Sequence, residues 1–404
     1  MTQFPHVRVA GPAVERGRQY GEQARDRVRA SIAAYRDVFR HYAGWDWDTV
    51  RREAARFEAP IAAFRPAYLE EIRGIAAGAG ADPLDVLAIN VRTEVMFAAQ
   101  ARQAPGAGTA LGTGRVPGPG GECSAFAVAP APGTQEPTLL GQNWDWLPHA
   151  AQTVVVLEAS QPDGPDFVTV VEAGLLAKTG LNSAGLGLVT NAMVTGADTG
   201  RPGIPYHVAL RALLDCETVT DALTVLQARE RSSAANYLIA HSDGLAVNVE
   251  AAPGCFDRLF LLFPGEDGVL LHTNHFRSDR FAELDVGLWA MPSSPFRLHR
   301  LQAGLRAAGG PPSLALFRTL LADHANQPGA VCCHPDPRQH PLDQGKTVAS
   351  VLMDLTAKRL WLADGNPCDT PYRELDYREF LAKPVSFREP AGALAAGPLA
   401  AGAR

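Results

Sequence analysis

The sequence lacks an excess of basic residues, a long apolar run and any leader-like segment at its start. Its net charge of −6 over 404 residues gives little support to nucleic-acid binding through phosphate neutralisation. No stretch approaches the roughly 18 consecutive apolar residues of a membrane span. Residues 1–6 show no basic segment followed by an apolar one. We therefore expect a cytoplasmic protein with neither nucleic acid nor membrane as a partner.

Regular cysteine and glycine patterns are also missing. The six cysteines are scattered, which excludes the disulfide framework of a small secreted domain and favours reduced thiols. The paired glycines between residues 106 and 114 follow no strand and precede no Gly-Lys-Ser/Thr, so no phosphate loop is indicated. What remains is an ordinary globular composition, 46% hydrophobic and 20% charged, in a chain long enough to bury a substantial core.

The pattern of apolar residues changes along the chain. Residues 1–101 show apolar spacings of three and four, which predict an all-helical region. Residues 102–122 are rich in Gly, Pro, Ala and Thr, which predicts a flexible linker. Residues 123–383 then alternate strand blocks with helix pairs, so we predict an α+β fold, an αββα sandwich of two sheets covered by helices. Residues 384–404, rich in Ala and Gly, are predicted to be a flexible tail.

Cys123 stands where the predicted linker meets the first predicted strand. Attack of its sulfur on the Glu122 carbonyl, followed by hydrolysis, would free the Cys123 α-amino group. That amine has an unperturbed pKa of roughly 7.7–8.0 against about 8.5 for the thiol, so it can accept the thiol proton. Nucleophile and base would then belong to one residue. From spacing alone, an ordinary cysteine that opens a strand is an equal alternative.

Asp145 lies between two tryptophans at the end of the second strand of a predicted hairpin. Antiparallel pairing of 124–130 with 137–143 would bring Asp145 back beside Cys123. There the carboxylate could hold an ammonium group or orient a thiol. A turn with two half-buried tryptophans is the structural alternative.

The segment His272-Thr273-Asn274-His275 closes another apolar strand and has two interpretations. Either the two histidines ligate a metal, or the Asn274 amide donates to an oxyanion. Positions three apart in a strand face opposite sides, so the oxyanion interpretation is preferred. Cys332, Cys333 and His334 have no second Cys/His pair at zinc-finger spacing and are interpreted as a loop with incidental thiols.

Several of these motifs together resemble one family. In chain order they are Glu122-Cys123-Ser124, Gly141-Gln142-Asn143-Trp144-Asp145-Trp146, Gly180-Leu181-Asn182-Ser183-Ala184-Gly185 and His272-Thr273-Asn274-His275. This series resembles the isopenicillin N acyltransferase family of N-terminal nucleophile hydrolases. The similarity extends from the first helix, through Asn90–Glu94, to Ala349–Asp354, and so covers most of the chain.

The resemblance implies a four-layer αββα N-terminal nucleophile fold. It also implies a zymogen that cuts itself between Glu122 and Cys123 into an α fragment (1–122) and a β fragment (123–404) that stay associated. By position, Cys123 matches the family's nucleophile, Asp145 its supporting acid and Asn274 its oxyanion amide. Arg92 and Glu94 match a motif in the α part and are taken either as structural residues or as residues that position the site without contacting the substrate.

The favoured function is therefore a cysteine amidohydrolase or acyltransferase that acts on a small amide or an acyl-coenzyme A through a Cys123 thioester, without a metal or organic cofactor. One alternative is a metal-dependent hydrolase using His272, His275 and His334. The other is a non-catalytic αββα binding module in which Cys123 stays internal.

Overall fold

The computed structural model describes residues 3–103 and 123–383. Glu122, nearly all of the predicted linker and the predicted tail 384–404 lie outside the described residues. Among the described helices, none combines the length and apolar character that crossing a bilayer requires. All six cysteines are free thiols, as the sequence predicts.

Helices and strands follow one another in blocks. The helices are α1 (Ala13–Gln23), α2 (Arg25–Ala43), α3 (Trp47–Ala55), α4 (Glu58–Phe64), α5 (Pro66–Ala79), α6 (Pro83–Asn90), α7 (Arg92–Gln103), α8 (Tyr206–Leu214), α9 (Val219–Gln227), α10 (Gly287–Ala290), α11 (Ser294–Ala308) and α12 (Leu314–Leu321). The strands are β1 (His6–Ala10), β2 (Cys123–Val128), β3 (Leu139–Trp146), β4 (Val154–Ser160), β5 (Phe167–Glu172), β6 (Thr179–Asn182), β7 (Leu186–Ala192), β8 (Ala235–His241), β9 (Ala246–Ala251), β10 (Leu259–Leu262), β11 (Val269–His272), β12 (Lys346–Asp354), β13 (Arg359–Ala363) and β14 (Arg373–Asp376).

The described strands form two sheets. One has eight strands in the order β1-β4-β5-β6-β7-β8-β9-β10, and the other has six in the order β11-β2-β3-β12-β13-β14. Most neighbours are antiparallel, and among the described strand pairs β1 alone runs parallel to its partner, β4. Short hairpin turns connect several neighbours, for example at Gly244, whose φ of 98° suits glycine at the turn predicted between β8 and β9.

Alternation along the strands sorts apolar side chains into separate layers. Val154 and Val156 of β4 pack between the sheets with residues of β2 and β12, whereas Val155 and Leu157 pack outward against α1–α9. On the other side, Phe126 of β2 packs outward against α11 and α12. The order is therefore helices, sheet, sheet, helices, which confirms the predicted αββα sandwich.

The prediction that residues 1–101 are all-helical is wrong in one place. Residues His6–Ala10 form β1, which pairs with β4 in the register His6 with Val156 and Ala10 with Ser160. The five side chains of β1 alternate between exposed and buried. A segment this short gives little indication in the sequence that it forms a strand. Its strand conformation depends on a partner about 150 residues away.

Two further short strands, β6 and β14, are absent from the sequence prediction. Each has four residues, and β6 contains a glycine, Gly180, on which a Cβ would meet the Val168 carbonyl oxygen of β5. Both depend on pairing with neighbouring strands rather than on β-branched composition.

Candidate active site

A cavity opens where α2, α7, α8 and α10 meet the ends of β2, β3 and β7. Its empty volume, mouth included, is about 890 Å³. The apolar lining includes Val38, Phe39, Met96, Phe97, Ala192, Met193, Val194, Ala234, Ala290 and Met291, together with Trp144 and Trp146. The polar lining includes Arg92, Cys123, Asp145, Lys178 and His207. An apolar wall with a few convergent polar groups is typical of a small-molecule site.

Cys123 is the first residue of β2 and is buried, with 3% of its surface exposed. It pairs with Trp144 in the β2–β3 hairpin, which confirms the predicted hairpin and places Asp145 next to it. Burial raises the pKa of the Cys123 thiol, because the thiolate loses its hydration. The charge of Lys178 and a hydrogen bond from the Asp145 backbone N–H act in the opposite direction and favour the thiolate.

Asn274 follows β11 and lies against the start of β2. The backbone N–H of Cys123 donates to Asn274 Oδ1 at 2.7 Å, and Asn274 Nδ2 donates to the Ala192 carbonyl at 2.8 Å. The Asn274 backbone N–H donates to Ser294 Oγ at 2.6 Å. Both ends of the buried Asn274 amide are therefore fixed beside the nitrogen atom that scission before Cys123 would convert to an amine.

A buried arginine fixes the same two residues. Arg297 Nη1 donates to the Cys123 carbonyl at 2.7 Å, and Nη2 donates to Asn274 Oδ1 at 2.9 Å. The Cys123 carbonyl also accepts from Asn191 Nδ2 at 3.2 Å. The planar guanidinium thus sets the distance between β2 and the turn after β11.

Asp145 is supported from the neighbouring strand β12. Thr347 pairs with Asp145 across the strands, and its hydroxyl donates to Asp145 Oδ1 at 2.6 Å. The same hydroxyl accepts from the Cys333 backbone N–H at 2.9 Å. Asp145 is 1% exposed, so these bonds hold a carboxylate inside the protein.

Lys178 brings a cation to the cavity from the turn before β6. Its ammonium lies 4.6 Å from the centre of the Trp144 ring, a cation–π distance. Burial lowers the pKa of Lys178 to about 8, and the neighbouring Cys123 opposes that decrease by favouring the charged amine. The lysine is therefore a charged neighbour of the thiol at neutral pH.

The side chains of the two histidines in the H-x-x-H segment contact different residues. His272 Nε2 lies 2.9 Å from Glu250 Oε1 in a fully buried pair. His275 Nδ1 lies 2.8 Å from Ser294 Oγ. His334 lies in another part of the fold, in a separate group of histidines and cysteines. The geometry thus gives no support to a metal centre made of His272, His275 and His334.

Arg92 and Glu94 of α7 both make buried hydrogen bonds to other elements of the fold. Arg92 Nη2 donates to Glu172 Oε2 at 2.7 Å, and its guanidinium lies over the Tyr35 and Trp146 rings. Glu94 Oε1 accepts from the Tyr206 backbone N–H at 2.8 Å. Arg92 also lines the cavity.

Sequence reasoning missed Lys178 and Arg297. Ser294, Arg297, Leu298 and Leu301 form the buried stripe of α11, and their spacing marks Arg297 as an arginine on an apolar face. Lys178 is a single charge between Leu175-Leu176-Ala177 and β6. In each case a lone cation among buried positions is the signal that could have identified the residue.

Comparison with known proteins gives one family and several relatives. A family model described as acyl-coenzyme A:6-aminopenicillanic acid acyl-transferase matches residues 133–369. A curated relative, the 40 kDa form of acyl-coenzyme A:6-aminopenicillanic-acid-acyltransferase from Emericella nidulans, is 24% identical over 364 residues, which are 90% of this chain and 93% of the relative. The family match includes Asp145, Asn274 and Arg297, and it begins after Cys123.

Two solved structures are more distantly similar. A variant of conjugated bile acid hydrolase from Clostridium perfringens is 14% identical, with a TM-score of 0.43, 64% of this chain covered and 94% of that chain covered. Penicillin V acylase from Agrobacterium tumefaciens is 13% identical, with a TM-score of 0.38 and coverages of 65% and 88%.

Proposed function

The chain belongs to the acyl-coenzyme A:6-aminopenicillanic acid acyl-transferase family, and from that premise we propose that scission before Cys123 makes this residue the nucleophile of the enzyme. The family match confirms the resemblance noted in the sequence and describes an acyltransferase family. The N-terminal nucleophile chemistry is part of the proposal. The observation that carries the proposal is the contact of 2.7 Å between the Cys123 backbone nitrogen and Asn274 Oδ1 inside an apolar cavity.

The activating step is an N-to-S acyl shift. The Cys123 sulfur attacks the Glu122 carbonyl carbon, the C–S bond forms, the C–N bond breaks and the nitrogen takes a proton. Water then hydrolyses the thioester to a Glu122 carboxylate and a free Cys123 thiol. The contact with Asn274 Oδ1 supports this step, because it holds the leaving nitrogen in one place.

The fragments produced by this scission would stay together. The α fragment, residues 1–122, contributes β1 to the eight-stranded sheet and helices α1–α7 to its outer face. The β fragment, 123–404, contributes the remaining strands. A fully buried apolar core between them gives a strong reason for lasting association.

During turnover the new N-terminal residue, Cys123, supplies both the base and the nucleophile. The α-amino group takes the thiol proton, the thiolate attacks the acyl carbonyl and the ammonium protonates the leaving group. Asn274 supplies a donor to the oxyanion and Asp145 supports the terminus. The nearby Lys178 charge favours the thiolate.

The substrate is proposed to carry an apolar acyl group. The apolar side chains that line the cavity include three methionines, which adapt to acyl groups of different shape. The donor is a small amide or an acyl thioester such as an acyl-coenzyme A, in keeping with the name of the Emericella nidulans relative. Water and a second amine compete for the thioester, and their access decides between hydrolysis and transfer.

Intact-mass measurement of the purified protein tests the proposal. We expect two fragments, of which the larger begins at Cys123, and one uncut chain for Cys123→Ala. Cys216→Ala, which removes another buried thiol, is the control and should be cut normally. An uncut wild-type chain that still turns over its substrate, or a Cys123→Ala chain cut at the same bond, would refute the mechanism. A panel of amides and acyl thioesters of varied chain length then identifies the donor.

A further inference from the structure

Four metal-binding side chains meet outside the catalytic cavity. They are His324, Cys332, His334 and Cys368, and one ligand atom from each lies within 4.8 Å of the other three. The sequence brings only Cys332, Cys333 and His334 together, and on that pattern it predicts a loop with incidental thiols. The fold adds His324 from the loop after α12 and Cys368 from the loop after β13.

Three distances within this cluster, all from His334 Nε2, match those of a tetrahedral site. His334 Nε2 lies 3.5 Å from Cys332 Sγ, 3.4 Å from Cys368 Sγ and 3.2 Å from His324 Nε2. With Zn–S near 2.3 Å and Zn–N near 2.0–2.1 Å, tetrahedral geometry puts sulfur and nitrogen ligands about 3.6 Å apart and two nitrogens about 3.3 Å apart. We propose that these four side chains form a structural zinc site.

Hydrogen bonds around the cluster hold its ligands in place. The Cys332 backbone N–H donates to the Asp323 carbonyl at 3.0 Å, which fixes it beside the segment that carries His324. The His334 backbone N–H donates to the Pro328 carbonyl at 3.2 Å. Asn366 Nδ2 lies 3.4 Å from Cys332 Sγ, the kind of amide contact that orients a thiolate ligand.

The chemistry of the ligands selects the metal. Two thiolates and two imidazoles in tetrahedral arrangement favour Zn²⁺ over Mg²⁺ or Ca²⁺, which prefer oxygen ligands. Four protein ligands leave no position for substrate, so the site is structural rather than catalytic. Cys332 is buried, whereas His324 and Cys368 are exposed, so an ion can enter from solvent.

The position of the site gives it a role in supporting the cavity. Cys333 follows the ligand Cys332, and its backbone exchanges two hydrogen bonds with Thr347, both 2.9 Å long. Thr347 in turn donates to Asp145. A metal that joins the loop after α12 to the loop after β13 therefore anchors the segment on which the Asp145 support depends.

Metal analysis of the full-length protein, purified under reducing conditions without chelator, tests the proposal. We expect about one zinc ion per chain, lost in Cys332→Ser and in Cys368→Ser. Cobalt substituted for zinc should show a thiolate-to-metal charge-transfer absorption that both variants lack. Thermal unfolding should occur at a lower temperature after chelation and recover when Zn²⁺ is added back.

Three matched variants exclude other sites. Cys255→Ser removes an exposed cysteine elsewhere, His340→Ala disrupts a second group made of His41, His340 and Asp343, and Cys123→Ala removes the thiol in the cavity. All three should keep the metal. The proposal is overturned if reduced wild-type protein takes up no Zn²⁺, if Cys332→Ser and Cys368→Ser retain it, or if native mass analysis shows Cys332 and Cys368 joined as a disulfide.

Discussion

Arg297 Nη2 donates to Asn274 Oδ1 at 2.9 Å while Nη1 donates to the Cys123 carbonyl at 2.7 Å. One guanidinium thus bridges the candidate nucleophile and the candidate oxyanion donor, which are 151 residues apart in the chain. Arg297 is 1% exposed, so both bonds form away from water. The fork geometry of arginine is what this bridge requires.

Arg297→Lys should keep a positive charge but lose one of the two bonds. We expect both self-cleavage and turnover to slow by roughly 10–100-fold, with KM for the acyl donor little changed, because Arg297 positions groups rather than binding the acyl chain. Single-turnover and steady-state kinetics measure this. Arg306→Lys, at an exposed position of the same helix, is the control. An unchanged kcat would show that bidentate positioning is not needed.

Asn274→Ala should remove an oxyanion donor and the acceptor for the Cys123 nitrogen. The loss of one such donor costs roughly 10²–10³-fold in kcat. Asn274→Asp keeps the acceptor but loses the amide donor, so it should retain positioning and still turn over slowly. Comparing kcat of the two variants, both checked for folding by circular dichroism, separates the roles. A near-normal rate for Asn274→Ala would remove this residue from the site.

Thr347→Val tests whether the Thr347 hydroxyl supports Asp145. Valine has the shape of threonine but can neither donate to Asp145 nor accept from the Cys333 backbone N–H. Two buried polar groups lose a partner, so we expect the free energy of unfolding to decrease by about 1–3 kcal/mol and turnover to slow. Thr347→Ser retains the hydroxyl and should recover most of both. If Thr347→Val and Thr347→Ser behave alike in chemical unfolding and kinetics, the hydroxyl has no such role.

Two of the site residues that the sequence predicted are brought together by local structure. Cys123 and Asp145 belong to adjacent strands of one hairpin, so antiparallel pairing alone brings them together. Apolar residues at every third or fourth position predicted most helices, and short apolar or alternating segments predicted most strands. The order of these helix and strand blocks then predicted the layers. The roles proposed for Cys123, Asp145 and Asn274 remain predictions.

The parts that were missed depend on long-range contacts. β1 is a strand because it pairs with β4, and Arg297 reaches Cys123 from a helix 174 residues later. The cluster at Cys332 needs His324 and Cys368 from two other loops. These contacts depend on how the layers of the fold pack together. The spacing of residues within one segment of the sequence does not predict them.

Lys178→Met should separate thiol reactivity from stability. Without the lysine charge the Cys123 thiolate loses a favourable neighbour, so the pH profile of Cys123 alkylation by iodoacetamide should shift to higher pH. In the wild type this support weakens above pH 8, because the pKa of Lys178 is lowered to about 8 and the amine then becomes neutral.

The same substitution should increase the free energy of unfolding near neutral pH. Burial lowers the pKa of Lys178 from 10.5 to about 8, so the unfolded chain binds more protons between these values and wild-type stability increases as pH rises through that window. Below it, the cost of a buried charge is fully present, and methionine removes a cost on the order of 3 kcal/mol. Lys178→Arg keeps the charge and should restore the wild-type alkylation profile. Peptide mass spectrometry of Cys123 labelling and urea unfolding at pH 7 measure the two effects, and a less stable Lys178→Met protein with an unshifted alkylation profile would contradict both.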